Sequence, residues 1–251
     1  MWPDFTQRAE MGELMDDPDC SKELLLRTIR QLASINRLVA RYRTILKRRI
    51  LHDMLKEPDR SYHLVDMGAG GCDIDAWLLR AARKLGLTLR ITAVDIDPRI
   101  IDYARSTYGA VEGLSIRRFD LLADRLDEPV DYVFANHFLH HLPNEEIIRL
   151  LRIWQPLVRR RMVFGDLLRD RLSYLGFSLL SLFYRNSFAR HDGLVSIRRG
   201  FRAGELAALA RNARPGLPCS IQRLAPGRLV LCMEGNSTEA PPTPDLCEKK
   251  H

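Results

Sequence analysis

No apolar run in this sequence approaches the roughly 18 to 20 residues of a membrane span, and the start, MWPDFTQRAEMGELMDDPD, lacks the basic-then-apolar order of a signal peptide. We therefore expect a cytoplasmic protein with no transmembrane segment. Cysteine is sparse: Cys20, Cys72, Cys219, Cys232 and Cys247 are odd in number and form no C-x-x-C pair, which argues against both a disulfide framework and a zinc site. No metal is expected. Acidic residues are outnumbered, 32 against 39 Lys and Arg, for a net charge of +7. The cations are mostly arginines spread at helical spacing, as in RTIRQLASINRLVARYRTILKRR, which reads as solvated helix faces, so we expect no nucleic-acid partner. With 251 residues and 46% hydrophobic content the chain can bury a sizeable core.

Residues 21–56 hold apolar side chains at spacings of three and four without glycine or proline, the pattern of one or two amphipathic helices. From Tyr62 the pattern becomes short β-rich runs alternating with helical ones: YHLVDMG, DIDAWLLRAARKLG, LRITAVDID, PRIIDYARSTYG, LSIRRFD, VDYVFANHFLHHL, NEEIIRLLRIWQPLVRR and RMVFGDLL. Such alternation predicts five parallel strands covered on both sides by helices. SIQRL and RLVLCMEG, joined by APG, predict a hairpin at the sheet edge.

A parallel sheet binds ligands beyond the carboxyl ends of its strands, where strand order reverses. The turn LVDMGAGGCDID sits after the first strand, but a dinucleotide fingerprint from Gly68 and Gly70 would need a third glycine at Asp73, and no P-loop lysine follows. An aspartate there is wrong for a pyrophosphate. A ligand with a cationic part and no phosphate suits the turn.

Asp66, Gly68, Ala69 and Gly70 in VDMGAG resemble the acidic-x-Gly-x-Gly motif of class I S-adenosylmethionine-dependent methyltransferases. The resemblance extends to AVDID, where it implies that Asp95 accepts from the ribose hydroxyls and Ile96 lies against adenine. It extends also to RFDLL, implying Asp120 at the adenine amine and Leu121 at the base face, and to FANHFLHHL, implying Asn136 and His137 beside the methionine moiety. It covers roughly Tyr62 to Gly165 and implies a doubly wound, seven-stranded, mostly parallel α/β sheet of Rossmann-like form. The departure is Cys72, where many members carry a third glycine. Bland readings compete: Gly68 and Gly70 as a tight strand-to-helix turn, Asp95 as a helix cap, Asp120 as a turn residue, and Asp73 and Asp75 as helix N-terminal charges. Asp97 before Pro98 reads as a helix cap.

For the acceptor, candidate bases are His137, His140, His141 and His191. We favour His137 and His191 as catalytic and read the His140–His141 pair as structural, with His141 reaching the acceptor. No Asn/Asp-Pro-Pro-aromatic motif and no Pro-Cys nucleophile accompanies the fourth strand, which argues against nucleobase methylation. LSYLGFSLLSLFY reads either as a core helix or as an apolar lid in which Tyr174, Phe177, Phe183 and Tyr184 line a pocket, with Arg190 beyond it. We thus expect residues 1–60 to form an N-terminal helical cap, 61–235 the methyltransferase domain with an acceptor-cap insertion at 167–200, and 236–251 a disordered tail. The expected reaction is methyl transfer to a small, largely apolar, phenolic or polyketide-like acceptor at oxygen. Carbon methylation of a quinone-like ring, an RNA or protein methyltransferase, and a non-enzymatic binding module are the alternatives.

Overall fold

The computed structural model describes residues 3–38, 40–126 and 128–236; most of the tail assigned to 236–251 lies outside them. Seven strands form one sheet in the order β3-β2-β1-β4-β5-β7-β6. They are β1 Ser61–Met67, β2 Thr88–Asp95, β3 Leu114–Arg118, β4 Val130–Asn136, β5 Val158–Leu167, β6 Cys219–Leu224 and β7 Arg228–Glu234. The first five are parallel, and β7 runs antiparallel between β5 and the edge strand β6. The hairpin thus inserts its second strand next to β5.

The strands β1 and β4 are buried almost end to end because helices cover both faces. On one face Val65, Met67, Val133 and Phe164 pack with α6 (Asn144–Trp154) and α9 (Ala203–Ala213). On the other, Leu64, Tyr132 and Val163 meet α4 (Asp73–Lys84) and the helical run of α2 (Tyr42–Leu46), a π-helical turn (Lys47–Leu51) and α3 (His52–Met54). The long helix α1 (Lys22–Leu38) precedes this run, and Arg41, in the left-handed region at φ 56°, turns the chain between them.

Helix starts follow local chemistry. Asp97 accepts from the Arg99 amide at 2.8 Å ahead of Pro98 and so caps α5 (Pro98–Tyr108). Asp170 accepts from the Ser173 amide and caps α7 (Arg171–Leu180). Glu145 and Glu146 stand in the first turn of α6, where the helix dipole favours negative charge.

The N-terminal residues form a strap across α8 (Ala189–Arg199) and the loop that follows. Ala9 donates to the Arg198 carbonyl, and Leu14 and Met15 donate to the Asp192 carboxylate. The buried Arg169 reaches the carbonyls of Phe5, Thr6 and Gly200, so one guanidinium ties strap, strand end and α8 loop together.

Trp154 closes α6 beneath the carboxyl end of β3, with its indole N–H donating to the Leu121 carbonyl at 2.9 Å and its ring edge-on to Phe119. Trp154→Ala should lower stability by about 3–5 kcal/mol, read from the urea midpoint. A loss below about 1 kcal/mol would mean that the region repacks freely.

Candidate functional site

At the end of β1 the chain turns through left-handed backbone at alternate residues, Gly68 (φ +64°), Gly70 (φ +54°) and Cys72 (φ +59°). Gly68 has no room for a side chain, because a Cβ there would stand 2.5 Å from the Phe138 ring. Gly70 opens on empty space. Cys72 takes the conformation that a glycine would adopt at little cost, and it is held there by burial of its side chain against Ala93, Ile101, Ala104 and Ile116. The non-glycine residue therefore keeps the turn rather than reshaping it.

Carboxylates gather under and across this turn. Asp95, at the end of β2, accepts from the amides of Gly70 and Asp97, both at 3.1 Å, which fixes its carboxylate at the mouth of the turn. Burial raises the pKa of Asp95. Asp66 and Asp75 are buried together, and burial followed by their mutual repulsion lifts Asp66 well above the usual carboxylate range. Burial, with Asp73 adding to it, pushes Asp75 up to about 7. Buried oxygens of Asp73 and Asp75 lack a hydrogen-bond partner. This end of the site is short of positive charge.

Beyond the ends of β4 and β5 the chemistry changes. Arg228, fully enclosed at the start of β7, donates to Asn136 Oδ1 at 2.5 Å and lies 2.6 Å from His137 Nε2. It makes no ion pair among the described residues, and burial lowers its pKa to about 10. Burial and then the Arg228 charge hold His137 well below the usual imidazole value, so its ring is neutral. Next to it, His140 Nδ1 donates to Asp166 at 2.7 Å, and its Nε2 faces Glu13 of the strap at 3.4 Å. Burial opposes a charged His140, but Asp166 and Glu13 outweigh it and raise its pKa to about 9. Against its own burial, Glu13 is drawn down to about 2 by His140 and His141. His141 Nδ1 donates to Asp16 at 3.1 Å. Glu13, His140 and His141 group tightly enough to hold a metal ion, and the charged His140 already supplies a cation to Glu13 there.

One cavity of about 1590 Å³ joins the two ends, larger than the roughly 300–1,000 Å³ of a single-ligand pocket. Its lining includes Asp66, Gly68, Ala69, Gly70, Asp95, Ile96, Asp120, Leu121, Asn136 and His137, so the structure brings the whole expected cofactor set together. Ile96 stays 60% exposed within it, an apolar surface free to cover a ring. Asp120 lines the cavity while its Oδ1 accepts from the Leu122 and Ala123 amides, so the turn role is present there as well.

His141 and Phe177 also line the cavity, whereas Tyr174, Phe183, Tyr184, Arg190 and His191 do not. The expectation for these five is corrected on placement. The Tyr174 ring packs edge-on against Phe5, Phe183 is 84% exposed with Tyr184 directly after it, and Arg190 and His191 are exposed, His191 bonding to Asp192. Sequence reasoning missed Arg228, Glu13 and Asp166 and undervalued His140. Arg228 and Glu13 carry no local signal, since both reach the site from distant strand and strap. The seven-residue run from Asn136 to Leu142 was the available clue to a polar end.

The fold and the site define a class of protein before any comparison: a doubly wound sheet with an acidic glycine turn, an acidic second strand end and room for two ligands. Residues 65–161 match the model of a family described as a methyltransferase domain. No curated protein matches the sequence. Among solved structures, the plantazolicin methyltransferase BpumL is similar at 14% identity and TM-score 0.66, over 89% of this chain and 93% of that one. Human N-acetylserotonin methyltransferase is similar at 18% identity and TM-score 0.60, over 86% of this chain and 57% of that one. The apo methyltransferase SibL follows at 22% and 0.51, over 72% and 53%. The chain thus spans little more than half the length of the latter two. Residues 65–161 thus match a methyltransferase domain, and the sheet that carries them has the fold of the class I S-adenosylmethionine-dependent methyltransferases it resembles.

Because the folded pKa of His140 lies above its ordinary 6.5, at about 9, its contribution to stability is complete below 6.5 and is lost as pH rises through 9. Urea midpoints should fall across that window, and His140→Gln should flatten the fall. An unchanged slope in the variant would assign the loss to other groups.

Proposed function

We propose that this protein transfers a methyl group from S-adenosylmethionine to oxygen of a small, largely apolar acceptor of phenolic or polyketide-like type. The single observation that carries the reading is the continuity of one cavity from the acidic glycine turn to the Asn136–His137–Arg228 cluster. The residues fit the cofactor. Asp66 and Asp73, the latter with an orphaned oxygen, offer negative charge to an ammonium. Asp95, anchored by two amides, stands ready for a diol, and Ile96 for a base face. Bound there, S-adenosylmethionine supplies a methyl group already activated on a sulfonium.

The chain then has three tasks. Leu172, Phe177 and Leu180 from α7, with Ile29 and Leu32 from α1, give the acceptor an apolar seat. Neutral His137 receives the proton of a phenolic hydroxyl when the acceptor displaces its contact with Arg228. Arg228, a buried cation with no carboxylate partner among the described residues, stabilises the oxyanion as the proton leaves. His141, oriented through Nδ1 by Asp16, contacts the acceptor from the strap side. Positioning supplies the rest, since in-line displacement on a sulfonium depends on attack geometry.

Calorimetric titration with S-adenosylhomocysteine, beside NAD as control, tests the cofactor half. Micromolar binding of the former alone is expected, and Asp95→Ala should weaken it by about 1.5–3 kcal/mol. Unchanged affinity in the variant would remove Asp95 from the ribose. For the acceptor half, alkylated phenols assayed with radiolabelled S-adenosylmethionine should be methylated, and Arg228→Met should lower kcat by about a hundredfold with the affinity for S-adenosylhomocysteine retained. Product methylated at carbon would overturn the oxygen assignment.

A further inference from the structure

The segment LSYLGFSLLSLF, residues 172–183, is folded inside out. Along α7 and the 3-10 turn after it, Leu172, Leu175, Leu179, Leu182 and Phe183 are 79%, 44%, 67%, 50% and 84% exposed. Leu172, Leu175, Leu179 and Leu182 recur at spacings of three and four residues and so fall on one stripe, with Phe183 directly after it. The serines point the other way. Ser181 is fully buried, and Ser173 and Ser178 are half-buried, their hydroxyls donating to the Asp170 carboxylate and the Tyr174 carbonyl. A helix facing only water carries the opposite arrangement, and a contiguous apolar stripe on a surface marks a contact.

The charges around the stripe identify what it touches. From Arg171 to His191 the chain contains Arg171, Arg185 and Arg190, all exposed, and no aspartate or glutamate. Arg27 of α1 also reaches the segment, donating to the Asn186 carbonyl at 3.2 Å, but it is paired with Glu23 at 3.1 Å, so the three arginines of the segment itself carry the charge argument. A second copy docked on the same face about a two-fold axis would set arginines against arginines. An anionic lipid surface instead offers acyl chain to the leucines and phosphate to the guanidinium groups.

We propose that α7 and the turn Ser181–Phe183 form a docking face for an anionic lipid bilayer, with the leucines and Phe183 in the headgroup–acyl boundary and the arginines at the phosphates. The helix lies in the interface plane. At ten residues it is far too short to cross, and no helix among the described residues is long and apolar enough to do so. Leu172, Phe177 and Leu180 of the same segment line the cavity, so the docked face continues into the cavity wall. An apolar acceptor dissolved in the bilayer then enters without crossing water, a consequence that rests on the methyl-transfer reading above.

The test is co-sedimentation of the full chain with vesicles of phosphatidylcholine alone and of phosphatidylcholine mixed with phosphatidylglycerol. The protein should partition onto the anionic vesicles and not the neutral ones, and salt should weaken the partition. Leu179→Asp and Phe183→Asp change exposed side chains, so their fold should survive, as checked by circular dichroism. Each should reduce partition at least tenfold, and Arg185→Ala by about fivefold. Protein left in the supernatant with anionic vesicles would overturn the proposal, as would binding that ignores Leu179 and Phe183. Light scattering that shows a dimer split by Phe183→Asp would also overturn it, by giving the face to a second copy. S-adenosylhomocysteine titration of the same samples separates the two readings: vesicle binding without cofactor binding would sink methyl transfer and leave the docking face standing.

Discussion

A buried imidazole held between two carboxylates carries much of this structure. His140, on the 3-10 turn after β4, is bound through Nδ1 to Asp166 at the end of β5 and faces Glu13 of the N-terminal strap through Nε2. Removing His140 would leave Asp166 and Glu13 without their shared cation in a place shut off from water, a far larger cost than the pair's own net contribution. The strap is therefore obliged to lie where it does. Glu13 also accepts from Ser196 of α8, and Asp192 of the same helix holds the Leu14 and Met15 amides. Sheet, strap and α8 close around one cavity because one set of charges has to be satisfied.

That cavity is electrically lopsided. Toward the glycine turn it presents Asp66, Asp73 and Asp95, with the Asp75 carboxyl behind them, and burial makes each reluctant to ionise. Such a set gains most from a ligand that brings positive charge, because the cation offsets the desolvation that the fold alone leaves uncorrected. Toward β5 and β7 it presents Arg228 and a neutral His137, a pair suited to an oxygen that loses a proton. The two ends ask for opposite charges, which is the physical ground of the methyl transfer to oxygen proposed above.

The segment from Arg171 to Arg190 has a different physical status from the rest. Elsewhere apolar side chains go inward, as in α6, where Ile147, Leu150, Leu151 and Trp154 are buried. In α7 no residue is buried to that degree, although the helix is the most apolar in the chain by sequence. It packs on α8, with the Phe177 ring at Gly193, and on Phe5 through Tyr174, while its exposed leucines serve contacts outside the domain's own core.

Read from its residues, the chain announced its alternation of strand and helix, the glycine turn, the acidic ends of β1 and β2 and the cap at Asp97, because these depend on local period, φ preference and hydrogen bonds within a few residues. The identity of Ile96 and Leu121 as lining residues was legible for the same reason: Ile96 follows directly on the end of β2, and Leu121 lies three residues past the end of β3. Arg228, Glu13 and Asp166 were not legible, since each acts on a group 26 to 127 residues away in the chain, as the Glu13–His140 and His140–Asp166 pairs show. The lid was read in composition and missed in orientation: Tyr174 turned to Phe5, and the leucines turned outward. Sequence alone determined the sheet and the cofactor turn, because backbone geometry and hydrophobic period are local properties. Only the tertiary structure decided which charges meet in the buried space between strap, β5 and β7, because burial and pairing exist only once distant segments have come together.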